Sequence, residues 1–421
     1  MTGLRHAIAN RPFSGGLLGH GDPVARSGST EIRPKASPEF ALVCALIARP
    51  MSDERTAAIL SHTGAGVDWG CVERIAARHR VAGLVREGLA HAGIPVPPGI
   101  AERAQRTMTS ALRNTGEALR LQARLEKAGI EPLFLKGSAL AVRAYGSIAV
   151  RDSVDIDMVV APGQVARAWD ILSEAGYLMT APSRPLPPSA LRTYQAISKD
   201  SAHHHRQRKV RLELHWRLSD ATGDSGMPPA TDHCMIQVAG AGALRTLTDP
   251  PLFAYLCVHG SGHAWARLKW LADIAALLGT SEDGGASLWA AAQAAGAARP
   301  AASAIMLANA AFGTPLPAGF VAPRSTRLRL LNALALRVMA AGGGARELSD
   351  TPWNSVVEPS ATLLTLSRWR DAWAHIRRVA IPAEDVVLLR LPASLNILYP
   401  VLRLPLWVWK RSPWSPRKRP A

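Results

Sequence analysis

Two aspartates one residue apart, Asp155 and Asp157, have the spacing of a metal site and lie inside the apolar run 154–160. Because successive side chains of a strand point to opposite faces, a strand here would place both carboxylates on one face and Ile156 and Met158 on the other. Neighbouring carboxylates repel each other unless a cation lies between them, and their hard oxygens suit Mg²⁺ or Mn²⁺. The pattern therefore predicts metal binding; a solvated turn or edge strand, the alternative, fits the apolar flanks less well.

A third carboxylate, Glu213, lies in the segment 209–217, whose residues alternate strictly between apolar and polar. A strand here would have a buried face of Val210, Leu212, Leu214 and Trp216, and a polar face of Arg211, Glu213 and His215. Three carboxylates on adjacent strands can hold two metal ions about 3.5–4 Å apart, the arrangement used for in-line displacement at phosphorus. The alternative for Glu213 is a solvent-facing position without a ligand.

Gly137 and Ser138 have the features of a phosphate-binding turn, because they follow a short apolar run, 131–135, and precede a helical pattern over 139–145. A glycine lets the backbone approach a phosphate closely, and a helix N-terminus offers free N–H groups to it. Ser138 is a suitable N-cap for that helix. The turn is therefore a candidate binding site for the phosphates of a ligand.

Two basic residues, Lys136 and Arg151, could add positive charge beside these phosphates, the arginine through two parallel hydrogen bonds. Lys136 has an equally good alternative, in which its stem covers the strand end and its ammonium lies in solvent. For Arg151 the alternative is a surface ion pair with Asp152.

Four other groups could take part in chemistry, and each has a simpler interpretation. His259 and His263 have the i,i+4 spacing of zinc ligands, but no glutamate follows His259 as in HExxH, so a structural or substrate-side role is favoured. Asp273 is expected to cap a helix or pair locally. The histidine run 203–205, beside several basic residues, is expected to be a solvated loop rather than a metal or anion site.

The elements that must position these residues change in character along the chain. The predicted regions are a disordered leader (1–37), a helical region (38–130), a mixed α/β core (131–240), a second helical region (241–345), and a helical extension with a basic Trp/Pro-rich tail (346–421). Helices are predicted over 39–48, 69–93, 100–128 and 164–175, with a loop at 181–188. The fold class is therefore α/β (α+β), a small mixed sheet flanked by helical regions.

Composition limits the environment and the partners. An apolar fraction of 48% indicates a globular chain, and four scattered cysteines indicate neither a disulfide framework nor a zinc finger. The net charge of +17 is compatible with nucleic acid, but the basic residues are widely spread, so that partner is not favoured. With no signal peptide and no apolar run long enough to span a bilayer, a cytoplasmic location is expected. The tail suits either a membrane surface or packing on the helical region.

These motifs resemble the nucleotidyltransferase superfamily of DNA polymerase β, and more closely its bacterial branch of uncharacterised nucleotidyltransferases. The resemblance rests on LKGSAL (135–140), then Tyr145 and Arg151, then the Asp-Ile-Asp of 155–157. The lead-in RHRVAGLV and the later stretch HGSGHAWARLKWLADI extend it over roughly residues 60–280. The gap between the Gly-Ser turn and the aspartates is longer than in minimal transferases, as it is in the closer family.

The resemblance implies a polymerase β-like core in which Gly137 and Ser138 bind the triphosphate of an NTP. It also implies that Asp155 and Asp157 bind two Mg²⁺ ions, which Mn²⁺ could replace, and that Glu213 is the third carboxylate of this metal site. The implied reaction moves a nucleoside monophosphate to an acceptor hydroxyl and releases pyrophosphate. The acceptor stays open between a small molecule, a peptide or protein, and RNA. The alternative is a non-catalytic, transferase-like scaffold or binding module.

Overall fold

The computed structural model describes residues 37–63, 66–182, 186–219, 232–238, 240, 242–347, 354–380, 398 and 402. The predicted leader, apart from Ser37, lies outside the described residues, and so does the tail beyond Ala380 except for two positions. Within the described residues, no helix is long and apolar enough to cross a membrane.

In the part of the chain that the structure describes, five helices precede the first strand: α1 (Pro38–Ile47), α2 (Asp53–Thr63), α3 (Trp69–His79), α4 (Ala82–His91) and α5 (Pro98–Lys127). The single helix predicted over 69–93 is wrong, because the chain breaks between α3 and α4. Arg80 adopts a left-handed conformation there (φ 57°), and its N–H caps α3 by bonding to the carbonyls of Ala76 and Ala77. After this break, α4 packs against the segment that leads to the two aspartates, since Gly83 lies against the backbone of Val150.

The described residues form a five-stranded mixed sheet. Its strands are β1 (Leu133–Phe134), β2 (Ile156–Val159), β3 (Leu178–Ala181), β4 (Asp200–His205) and β5 (Val210–His215), in the order β1-β2-β5-β4-β3. Only β2 and β5 run parallel, with Asp157 opposite Glu213 and Val159 opposite His215. The predicted α/β fold with a small mixed sheet is confirmed, although β3 and β4 were not predicted.

The connections of the sheet are helices α6 (Gly137–Tyr145), α7 (Val165–Glu174) and α8 (Pro188–Ile197). A separate antiparallel hairpin, β6 (His233–Val238) and β7 (Gly242–Leu247), also was not predicted. Thr246 fixes this hairpin to the sheet, since its hydroxyl donates to the Phe134 carbonyl at 2.7 Å.

The two faces of the sheet differ as alternation requires. One face packs against α5 and α7 in an apolar cluster that includes Leu121, Phe134, Ile156, Met158, Trp169, Leu212 and Leu214. Because Ile156 and Leu212 point into this cluster, Asp157 and Glu213 must point to the opposite face. The polar residues of β2 and β5 are therefore collected on one side of the sheet.

Helices complete the described chain: α9 (Asp249–Gly262), α10 (Leu268–Thr280), α11 (Ala286–Ala294), α12 (Ala298–Phe312), α13 (Thr326–Met339), α14 (Asn354–Thr365) and α15 (Trp369–Ala380). Residues of α9, α10 and α12 share one continuous apolar core with α1, α3 and α4. Helices that precede the sheet in sequence and helices that follow it therefore pack into the same core.

A buried ion pair joins this helical core to the segment before β2. Arg151 donates from Nε to Asp273 Oδ1 at 2.9 Å and from Nη2 to Oδ2 at 2.9 Å, and Tyr145 donates its hydroxyl to Oδ1 at 3.0 Å. The side chains of the pair are 3% and 1% exposed. Burial acts to lower the pKa of Arg151, but the Asp273 carboxylate outweighs it and raises that pKa.

These contacts correct two expectations. The surface pair between Arg151 and Asp152 is wrong, because the guanidinium is buried against a helix 122 residues away in sequence. The phosphate role predicted for Arg151 gains no support from its contacts, since the guanidinium is engaged by Asp273. Asp273 pairs over a long range and not locally.

Replacing Arg151 with methionine should destabilise the protein by about 3–5 kcal/mol, because it leaves the Asp273 carboxylate buried without its partner. Urea unfolding followed by circular dichroism measures this change. The matched control is Arg106→Met, which breaks an exposed i,i+4 pair with Glu102 and should cost only about 0.3–0.5 kcal/mol. Equal effects of the two substitutions would contradict a stabilising role for the buried pair.

Candidate active site

Asp157 is the centre of a buried group of charges on the polar face of the sheet. Its side chain is 5% exposed, and Oδ1 lies 3.0 Å from Lys136 Nζ. Burial acts to raise the pKa of Asp157, but the Lys136 ammonium and the His215 ring outweigh it and hold that pKa well below its usual range. Asp157 is therefore ionised at neutral pH.

Lys136 is the partner that keeps this carboxylate charged. Burial alone would lower the pKa of Lys136, yet Asp157 raises it above its usual range. The ammonium also lies 5.7 Å from the centre of the Tyr255 ring on α9. The alternative of a solvent-facing ammonium is wrong, since the side chain is only 12% exposed.

Glu213 and His215 bring two more metal-ligating groups to Asp157 because β5 lies beside β2 in parallel register. His215 Nε2 is 3.5 Å from Asp157 Oδ1 and 3.5 Å from Glu213 Oε2. One ligand atom from each of the three residues lies within 4.8 Å of the others. We call Asp157, Glu213 and His215 the acid–histidine cluster.

His215 is the functional candidate that the sequence analysis missed. Its ring is buried, and neither ring nitrogen forms a hydrogen bond with the described residues. On the side away from the cluster, Nδ1 faces Asp200 Oδ2 of β4 at 3.7 Å. The alternation of 209–217 had already placed His215 on the same face as Glu213, and that signal could have identified it.

Asp155 lies next to the cluster but not inside it. The strand begins at Ile156, so Asp155 occupies the bend just before β2. Burial, followed by the negative charges of Asp157 and Glu213, raises the pKa of Asp155. A cation between these carboxylates would relieve that repulsion. The metal role of Asp155 stays a prediction.

The Gly-Ser turn has the expected backbone but a different cap. Gly137 has a φ of 64°, which favours glycine, and the helix cap is Lys136. The N-cap role of Ser138 is therefore wrong: its hydroxyl lies in the first turn and hydrogen-bonds to the Thr115 hydroxyl of α5. The cleft between this turn and Asp155 has a volume of only about 10 Å³, enough for one water molecule. A phosphate would need α5 or the hairpin to shift.

The other histidines singled out from the sequence lie in β4, in α9 and at the end of α9. The solvated loop expected at 203–205 is wrong, because these residues belong to β4 and pair with β5. His203 and His205 are buried, and His203 Nε2 lies 3.0 Å from the Ser201 hydroxyl. His259 and His263 contact each other at a ring distance of 4.7 Å, and His263 Nδ1 is 2.9 Å from Glu358 Oε1.

Comparison with known protein families shows to which family this chain belongs. A family described as uncharacterised nucleotidyltransferase has a model that matches residues 65–313. The chain belongs to this family. No curated protein and no solved structure matches it. Membership confirms the resemblance to nucleotidyltransferases and the assignment as a transferase enzyme, and it implies an NTP as substrate.

The acid–histidine cluster of this nucleotidyltransferase fits one divalent cation. Two carboxylates and an imidazole supply three ligand atoms of suitable kinds, and no described residue competes for His215 Nε2 as a hydrogen-bond partner. The carboxylate of Asp200 lies next to Nδ1, the ring nitrogen that faces away from the cluster. Carboxylates in this position orient the histidine ligands of many metal sites. Imidazole is a better ligand for Mn²⁺ and later transition metals than for Mg²⁺. The set therefore suits a divalent cation that accepts one nitrogen ligand beside its oxygen ligands.

His215→Ala should weaken Mn²⁺ binding at least about tenfold and Mg²⁺ binding less, because it removes the nitrogen ligand. Asp200→Asn should weaken Mn²⁺ binding by about tenfold through loss of ring orientation. Isothermal titration calorimetry without nucleotide measures both. His204→Ala, on the neighbouring strand, is the matched control and should bind as the wild type does. An unchanged Mn²⁺ titration for folded His215→Ala protein would exclude this ligand.

Proposed function

We propose that this chain transfers a nucleoside monophosphate from an NTP to an acceptor hydroxyl and releases pyrophosphate. The observation that carries the proposal is the acid–histidine cluster, which lies on a parallel strand pair within the family-matched segment. A divalent cation held by Asp157, Glu213 and His215 would neutralise the triphosphate and lower the pKa of the acceptor hydroxyl. The ion is Mn²⁺ or Mg²⁺, and a second ion would require Asp155.

The protein side chains have separate roles in this proposal. Lys136 keeps Asp157 ionised before the cation binds, and its ammonium is then available to phosphate oxygens. Glu213 is 41% exposed, whereas Asp157 and His215 are nearly inaccessible, so Glu213 is the most accessible of the three groups to a substrate. Gly137 and Ser138 would contribute backbone N–H groups to the triphosphate once the closed turn opens.

Positive charge at the site supports phosphoryl transfer, a reaction that needs few other catalytic groups. The transition state of such transfers is stabilised mainly by positioning and by cations near the phosphate oxygens. A cation in the cluster and the Lys136 ammonium meet this need at one place. Arg151 is omitted from the proposed site because it is engaged by Asp273.

Asp157→Asn should lower pyrophosphate release by at least about 100-fold, because it removes the central carboxylate of the site. The protein should keep its far-ultraviolet circular dichroism spectrum. Release is measured with each NTP, Mn²⁺ or Mg²⁺, and cell extract as the source of acceptor. Asp170→Asn, an exposed aspartate on α7, is the matched control and should retain full activity. Wild-type release by Asp157→Asn would refute the proposed mechanism.

A further inference from the structure

A second, larger space is lined in part by residues that are close in sequence to the acid–histidine cluster. The described residues line a cavity of about 600 Å³ between α9, α14 and α15. Polar residues on its wall include Lys199, Ser219, His259, Glu358, Thr362 and Arg368. Its volume falls within the range of pockets that hold small molecules, roughly 300–1,000 Å³.

Residues of the cavity wall are neighbours in sequence of His215 and of its register partner Asp200. Lys199 precedes Asp200, which is the register partner of His215. Leu218 and Ser219 follow His215 along the chain, and both line the cavity. The ring of His259, also on the wall, stacks on Tyr255 at 5.9 Å, and Tyr255 in turn contacts Lys136.

The strand order separates this cavity from the Gly-Ser turn. In the order β1-β2-β5-β4-β3, the turn that follows β1 lies on one side of Asp157. The end of β5 and the beginning of β4, whose neighbouring residues line the cavity, lie on the other side. In a displacement at phosphorus, the attacking and leaving oxygens stand roughly in line on opposite sides. A donor phosphate at the turn therefore calls for an acceptor on the β5 side.

We propose that this cavity binds the acceptor of the reaction, and this inference rests on the proposed function. The acceptor oxygen forms the new bond to the α-phosphorus, while the bond from that phosphorus to the β-phosphate oxygen breaks. The electron pair of the broken bond leaves with pyrophosphate, and the hydroxyl proton passes to Glu213 or to water.

The wall selects a class of acceptor. Among the described residues of the wall, the cations Lys199 and Arg368 are balanced by the carboxylates of Glu358 and Asp371. Such a wall suits neither a triphosphate nor an RNA backbone, both of which need an excess of cations. Hydroxyls and imidazoles between the charges offer hydrogen bonds in both directions. The acceptor is a small, hydroxylated molecule of low net charge, either neutral or zwitterionic.

Part of this wall lies outside the family-matched segment. The match ends at residue 313, whereas Glu358, Thr362, Arg368 and Asp371 come from α14, α15 and the link between them. The donor side of the site is thus built from the matched segment, and the acceptor side is completed by helices that follow it. This extension determines acceptor specificity.

Thr362→Trp tests the assignment because the indole would fill the cavity from α14. The protein is incubated with α-labelled NTP, Mn²⁺, and either the dialysable or the retained fraction of a cell extract. The wild-type protein should label a product in the dialysable fraction. Thr362→Trp should lower the amount of this labelled product at least tenfold and leave Mn²⁺ binding unchanged. Val258→Phe fills the cavity from α9 and should act in the same way. Thr326→Trp, on the exposed surface of α13, is the matched control.

The outcomes separate the two proposals. Label in the retained fraction alone, or undiminished transfer by both folded cavity variants, overturns the acceptor site and leaves the proposed function standing. If neither fraction is labelled while Mn²⁺ and NTP bind, the proposed function fails and the acceptor site fails with it.

Discussion

The contact between Lys136 and Asp157 is the interaction on which the site depends. A carboxylate that is 5% exposed cannot stay ionised in the middle of a sheet without a compensating charge. The Lys136 ammonium at 3.0 Å provides that charge. The same negative charge that requires Lys136 is what a divalent cation would bind. Stability and proposed chemistry therefore use one group of residues.

The surrounding structure holds this group in place from two directions. The parallel register of β2 and β5 sets Asp157 beside Glu213 and so determines the cluster. The buried pair of Arg151 and Asp273 fixes the segment before β2 to α10, and α10 belongs to the large helical core. Helices from both halves of the chain thus position a site carried by a small sheet.

Local patterns predicted a large part of this arrangement. The alternation in 209–217 placed Glu213 and His215 on one face, because a period of two is a property of the strand itself. The Arg151–Asp273 pair could not be predicted, since it joins positions 122 residues apart. The strand at 203–205 was not predicted, because histidines lie on both of its faces and the two faces therefore do not differ in hydropathy. The capping error at Ser138 arose because Thr115 of α5 binds its hydroxyl.

The most direct test of a metal-binding acid–histidine cluster is anomalous diffraction from crystals soaked with Mn²⁺ and a non-hydrolysable NTP analogue. We expect a manganese peak at about 2.0–2.3 Å from oxygens of Asp157 and Glu213 and from a ring nitrogen of His215. Absence of a peak at these residues in crystals that contain the analogue, with Lys136 still bound to Asp157, would contradict it.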